Sequence, residues 1–159
     1  MPLIELETLI RAPVERCFDL ARSIDFHERT ASETQERAVA GRTKGLIELG
    51  EEVTFSARHF GVRQRLTSKI TAFDRPWQFR DEMLRGAFAV LRHDHRFEAR
   101  EDLTLMRDEF YFEAPLGLLG RIAERAVLVR YMTEFLRVRA QILCAHAESE
   151  QWRAYLEAR

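Results

Sequence analysis

His93 and His95 stand two residues apart in Leu91-Arg92-His93-Asp94-His95-Arg96-Phe97, a stretch in which one phase is apolar and the other charged. On an extended strand that spacing puts both imidazoles on one face. Asp81 holds the same relation to Phe79 and Met83, and Asp108 to Met106 and Phe110. His59 follows Phe55 and Ala57 in phase, and Gln64 shares a phase with Leu66 and Ile70. Polar groups placed among apolar ones must satisfy each other, hold water or meet a ligand. Imidazole–carboxylate hydrogen bonds can fix strand register and close one end of a cavity. The same groups can orient a molecule inside an apolar pocket. They can also move protons on a bound carbonyl compound, with His93 and Asp81 as candidate acid and base. Two imidazoles and a carboxylate further suit a two-His-one-carboxylate metal set. A strand His-x-His without known partners is more commonly structural, so neither metal nor cofactor is expected.

Other chemistries find little support. There is no Gly-x-Ser-x-Gly, no phosphate-cradling glycine loop and no Cys–His pairing in the sequence. Arg63, Arg65 and Lys69 make a basic stripe without interleaved aromatics, which reads as a solvated sheet face rather than a nucleic-acid surface. The formal charge of -1 supplies no global field for polyanions.

The elements that carry these residues follow from periodicity. Leu3–Ile10 is a first strand, and Pro13 opens a short helix with Val14, Cys17, Phe18, Leu20 and Ala21 at helical spacing. Ser23-Ile24-Asp25 breaks it, another helical turn covers Phe26–Arg29, and Glu36–Ala40 is a short strand ended by Gly41. Gly41–Gly50 is a glycine-punctuated loop with the apolar centre Leu46-Ile47-Glu48-Leu49, and such a loop is expected to fold over something. Alternation of period two then marks strands over 52–60, 62–71, 77–83, 91–98 and 103–114, with Val62 and Trp77 on the inward phases.

A long helix closes the chain, opened by Pro115 and running from Leu116 to about Ala147. Arg130, Glu134, Arg137, Gln141 and Glu148 form one stripe of it. Leu118, Ile122, Val129, Met132, Leu136 and Leu143 lie almost opposite, beside Leu128, Tyr131, Phe135, Val138 and Ile142. At about 1.5 Å per residue it is some 45 Å long. A helix so broadly apolar needs a concave surface to hold it. The expected fold class is α+β: a helix-grip arrangement in which a curved antiparallel sheet of about seven strands (β-α-α-β6-α) wraps the C-terminal helix. Arg121, Arg125 and Arg139 interrupt the apolar arc. They can reach its edges, pair with strand carboxylates, or meet a ligand's carboxylate or phosphate at the cavity mouth.

With 159 residues, 46% of them hydrophobic and 32% charged, a single globular domain over 1–147 is expected, followed by a tail or helical extension over 148–159. Trp152, Tyr155 and Leu156 in that tail either prolong the helix or pack on a neighbour, as in a homodimer. No apolar run is long enough to span a bilayer and no signal-peptide pattern precedes Leu3, so a cytoplasmic location is expected. Cys17 and Cys144 read as reduced, partly buried thiols.

Several segments resemble the SRPBCC superfamily, which includes START-type lipid-binding domains, polyketide cyclases and aromatases, and plant pathogenesis-related allergens. They are Ile4–Pro13 with Phe18 and Asp19, then His59-Phe60-Gly61, Ile70–Pro76, Phe79-Arg80-Asp81, His93–Phe97 and Ala114-Pro115-Leu116-Gly117. The resemblance implies a deep cavity between sheet and helix for a hydrophobic or amphipathic small molecule of lipid, quinone-like or polyketide-like type. The residues expected to face it are Phe55, His59, Gln64, Leu66, Phe79, Asp81, His93, His95, Asp108, Met132, Phe135 and Arg139. A cyclase- or aromatase-type enzyme using the inward His and Asp residues is the first alternative, and a protein-interaction domain presenting its apolar helix face is the second.

Overall fold

The computed structural model describes residues 2–114 and 121–157, with side chains in the last long helix from residue 126 onward. Strand β1 (Leu3–Ile10) leads through Pro13 into helix α1 (Val14–Ala21), which buries Val14, Cys17, Phe18 and Leu20. Phe18 sits edge-on to Phe73, Phe79 and Phe97, at centroid distances of 5.4, 5.4 and 5.5 Å. Helix α2 (Ile24–Thr30) begins at Ser23, whose Oγ accepts from the Phe26 N–H at 3.2 Å. A 3₁₀ turn over Ser32–Thr34 then delivers the chain to strand β2 (Arg37–Gly41).

Five long strands follow: β3 (Glu52–His59), β4 (Val62–Asp74), β5 (Gln78–Arg85), β6 (Val90–Arg100) and β7 (Leu103–Glu113). Together with β1 and β2 they form one seven-stranded sheet in the order β1-β7-β6-β5-β4-β3-β2, antiparallel at every pairing. Strands β1 and β2 occupy its two edges, so α1 and α2 cross from one side to the other and close one end of the interior. Helix α3 (Arg121–Ala147) lies across the same face. Pro115, Leu116 and Leu118, at the expected start of that helix, lie outside the described residues. Within α3, Met132, Leu136, Ala140 and Leu143 are buried, while Arg130, Glu134, Arg137 and Gln141 are exposed, as the helical spacing requires.

The α+β helix-grip architecture read from the sequence is thus the observed one, with local differences. Glu36 precedes β2 rather than starting it and turns its carboxylate inward. Strand β4 runs on to Asp74, and a register shift between Ile70 and Ala72 re-aims Phe73 toward Phe18. Val62 and Trp77, expected to face inward, are exposed because one lies at a hairpin tip and the other in the turn before β5. On the outer face Asp94 is buried between Arg80 at 2.6 Å and Arg92 at 3.2 Å. After α3 the chain does not continue as helix. Ser149 caps a 3₁₀ turn (Glu150–Trp152) and a short helix α4 (Arg153–Leu156), whose Trp152, Tyr155 and Leu156 pack onto the chain's own core.

The Gly41–Gly50 loop is pinned to the start of α2. Ile24 N–H donates to the Gly45 carbonyl at 2.9 Å, Ile47 N–H to that of Arg22 at 3.2 Å, and Ile47 is buried. The loop departs at Gly41, where φ is +73° and an added Cβ would stand 2.2 Å from the Glu52 carbonyl oxygen. Gly41→Ala therefore combines a left-handed backbone with a clash against main chain, at about 2–3 kcal/mol. Gly45→Ala (φ +75°) has open space around its Cβ and is expected to cost only the backbone part. Urea unfolding of the two variants should separate them in that order.

Candidate functional site

Between the sheet and α3 lies a cavity of about 680 Å³. Its walls are apolar: Ile24, Ile47, Phe55, Leu66, Phe79, Phe88, Leu91, Phe110, Met132, Phe135 and Leu136 all face it. The rim at one end includes the exposed side chains of Phe60 and Val127. Phe60 and Gly61 turn the β3–β4 hairpin with φ of 51° and 76°, and the Phe60 ring rests 4.6 Å from that of Tyr131. A bulky residue is unusual in that conformation.

Antiparallel pairing builds the polar floor. Asp81 on β5 lies opposite His93 on β6, and Asp108 on β7 lies opposite His95. The four side chains form a square of alternating acid and imidazole. Asp108 Oδ1 lies 3.0 Å from His93 Nε2 and 2.8 Å from His95 Nδ1, while Asp81 Oδ2 lies 3.3 Å from His95 Nε2 and 4.0 Å from His93 Nδ1. His95 also stacks on Phe79 at 4.2 Å. Burial alone would depress the His95 imidazolium, but the hydrogen-bonded Asp108 and Asp81 carboxylates outweigh it and hold it up at about 9. His93 goes the other way, pushed down by burial and by the neighbouring His95. Asp108 is held far below the usual carboxylate range, because the hydrogen bonds from both histidines outweigh its desolvation.

A second polar group joins three elements. Arg139 on α3 donates from Nη2 to His27 Nδ1 at 2.7 Å and from Nε to Thr30 Oγ1 at 3.2 Å. A guanidinium only donates, so His27 Nδ1 is the acceptor and Nε2 carries the proton. That proton points at Glu36 Oε1, 2.6 Å away. The His27 ring stacks on Phe55 at 4.2 Å with 15° between planes. Burial and the adjacent Arg139 cation both lower its basicity, so this histidine stays neutral.

A group whose folded pKa is lowered contributes stability above its unfolded value, near 6.5 here, and loses it as pH falls toward the folded value. His27→Gln keeps one donor and one acceptor without titrating. Wild-type stability is expected to fall more steeply than that of His27→Gln from pH 6.5 downward, by at most about 1.4 kcal/mol per pH unit. Denaturant midpoints of both proteins across that range measure it.

Of the residues singled out in the sequence, Phe55, His59, Gln64, Leu66, Phe79, Asp81, His93, His95, Met132, Phe135 and Arg139 line the cavity. Asp108 does not. It stands behind the two histidines, against a void of about 30 Å³ that has room for roughly one water molecule. His59 sits apart from the square, its Nδ1 2.8 Å from Tyr131 Oη on α3. Arg139 meets His27 and Thr30 rather than a strand carboxylate. The side chains of Arg121 and Arg125 lie outside the described residues. His27 and Glu36 are site residues that sequence reasoning did not single out. The burial of Glu36, next to a strand of small residues, is visible only once α2 and α3 are in place.

No protein-family model matches the sequence, and no curated protein matches it. Solved structures do match in three dimensions. TTHA0849 from Thermus thermophilus superposes with a TM-score of 0.70 at 18% identity, over 92% of this chain and 99% of that one. A START superfamily protein from Mycobacterium smegmatis gives 0.70 at 12% identity, over 92% and 97%. Major latex-like protein 151 from Panax ginseng gives 0.66 at 12%, over 93% and 98%. No helix among the described residues is long and apolar enough to cross a membrane. The likeness spans nearly the whole length of each chain, and the protein has a START-like helix-grip fold.

Proposed function

We propose that the protein binds a hydrophobic or amphipathic small molecule in the cavity between its sheet and α3. The observation that carries this reading is the cavity itself. About 680 Å³ of mostly apolar space falls in the range of small-molecule sites, and a fully packed domain would not leave it. Its polar groups sit at defined places on the floor and one wall, which suits a guest with an apolar body and one or two oxygen functions. A lipid, a quinone-like compound or a polyketide-like compound meets that description. The Gly41–Gly50 loop, which contributes Ile47 to the lining, and the Phe60–Tyr131 rim would govern access.

Native mass spectrometry of the purified protein, followed by extraction and accurate-mass analysis, tests the reading. A co-purifying apolar molecule at near-unit stoichiometry is the expected result. Failure to retain or take up any apolar probe, including the neutral fluorophore N-phenyl-1-naphthylamine, would overturn it.

The hydrogen-bonded His93, His95, Asp81 and Asp108 favour a second reading, a cyclase- or aromatase-type enzyme in which the cavity-facing members handle protons. His93→Gln and Asp81→Asn separate the two. Turnover of an identified guest lost with binding retained supports catalysis, and unchanged consumption leaves a carrier.

A further inference from the structure

We propose that Asp81, His93 and His95 form a binding site for a divalent first-row transition-metal ion on the floor of the cavity, with Asp108 as the partner that orients both imidazoles. Asp108 Oδ1 lies 3.0 Å from His93 Nε2 and 2.8 Å from His95 Nδ1, and a carboxylate oxygen placed between two imidazole nitrogens accepts from both. Those contacts fix which nitrogen of each ring carries a proton. The two remaining nitrogens, His93 Nδ1 and His95 Nε2, are therefore turned toward Asp81.

The three atoms left over are His93 Nδ1, His95 Nε2 and Asp81 Oδ2, the carboxylate oxygen 4.0 Å from the first and 3.3 Å from the second, and each of the three residues offers a ligand atom within 4.8 Å of the other two. Once His95 Nε2 gives up its proton all three are acceptors, and a cation between them holds them together. A proton can do this for one pair, His95 Nε2 and Asp81 Oδ2 at 3.3 Å. It leaves His93 Nδ1 without a hydrogen bond among the described residues, 4.0 Å from the same oxygen. A metal ion satisfies all three together. Ligand bonds of about 2.0–2.2 Å put neighbouring donor atoms roughly 3.0–3.5 Å apart, so the His95–Asp81 pair is already at that spacing and His93 has to draw in by about half an ångström.

The surroundings are those of a metal centre rather than of a closed ion-pair knot. Metal-bound histidines usually donate their other N–H to a carboxylate that fixes ring orientation. Here one buried carboxylate serves both rings. Phe79 and Phe110 flank the imidazoles, at centroid distances of 4.2 Å from His95 and 5.2 Å from His93. Asp81, His93 and His95 all face the large cavity and Asp108 does not, so the open coordination positions point to where the guest would lie. Two imidazoles and one carboxylate favour Zn²⁺ or Fe²⁺ over Mg²⁺ or Ca²⁺, which require mostly oxygen donors. Insofar as an oxygen of the guest completes the coordination, the proposal rests on the binding reading above. The metal site itself does not.

The test uses Co²⁺ as a spectroscopic probe on the full chain, after chelator treatment and with no organic ligand added. One equivalent is expected to produce a visible d–d band, and Zn²⁺ is expected to displace it. His93→Gln, which keeps a donor for Asp108 but removes the ring nitrogen, should abolish the band in a protein shown by circular dichroism to be folded. Asp108→Asn should weaken Co²⁺ binding about 10–100-fold. His59→Gln, elsewhere in the cavity, should leave the band unchanged. Absence of stoichiometric Co²⁺ and Zn²⁺ binding by the wild-type protein would overturn the proposal, as would a band that survives in His93→Gln. Because the readout needs no guest, it can fail while uptake of N-phenyl-1-naphthylamine succeeds, and the reverse.

Discussion

Asp108→Ala is expected to destabilise the protein by about 3–5 kcal/mol, the cost of removing one partner from a buried charged network. Asp108 is 7% exposed and accepts from His93 and His95 on the neighbouring strand. Its loss leaves two imidazole N–H groups pointing into a void of about 30 Å³ enlarged by the missing carboxylate. Water can enter that space, but it cannot supply the negative charge that balances His95. For a chain of this size the loss corresponds to a fall in Tm of roughly 6–20 °C. Asp81→Ala is expected to be milder, because its side chain is 23% exposed and opens onto the main cavity, where water can take its place. Thermal unfolding followed by circular dichroism ranks the two. Equal losses would show that the square is held symmetrically and that Asp108 has no special position in it.

That network also marks what a single sequence can and cannot carry. Period-two alternation placed His93, His95, Asp81 and Asp108 on one face without knowledge of which strands are neighbours, because strand geometry alone fixes the face. Once β5, β6 and β7 pair in chain order, the four residues have to meet. The His27–Glu36–Arg139 group has no such local signature. Its members come from α2, the residue before β2 and the middle of α3, and only the docking of α3 brings them together. Arg139 stood out because it broke an apolar helical arc, whereas His27 in Ile24–Thr30 looked like any residue of a short polar helix. Strand phase was legible except where the backbone departed from a regular ladder. The register shift between Ile70 and Ala72 turned Phe73 inward, and the same lengthening of β4 left Trp77 in a turn. Such irregularities depend on the partner strand, which no local pattern encodes.

The cavity reading makes its largest demand at Leu66. Leu66 pairs with Phe55 across β3 and β4, and both side chains face the interior, while Arg65 beside it points to solvent. Leu66→Arg places a guanidinium against Phe55 in an apolar wall, where it must either bring water with it or displace whatever occupies the space. Binding of N-phenyl-1-naphthylamine is expected to weaken at least about 100-fold, equivalent to roughly 2.7 kcal/mol. The variant should still fold, because Leu66 is half-buried on the cavity wall rather than locked in the main core. Arg65→Leu, one residue away, removes an exposed charge and is expected to change probe affinity less than about threefold. Fluorescence titration of the pair alongside circular dichroism decides the matter. Comparable losses from both substitutions would mean that the probe does not enter between sheet and helix, since only Leu66 of the two reaches that space.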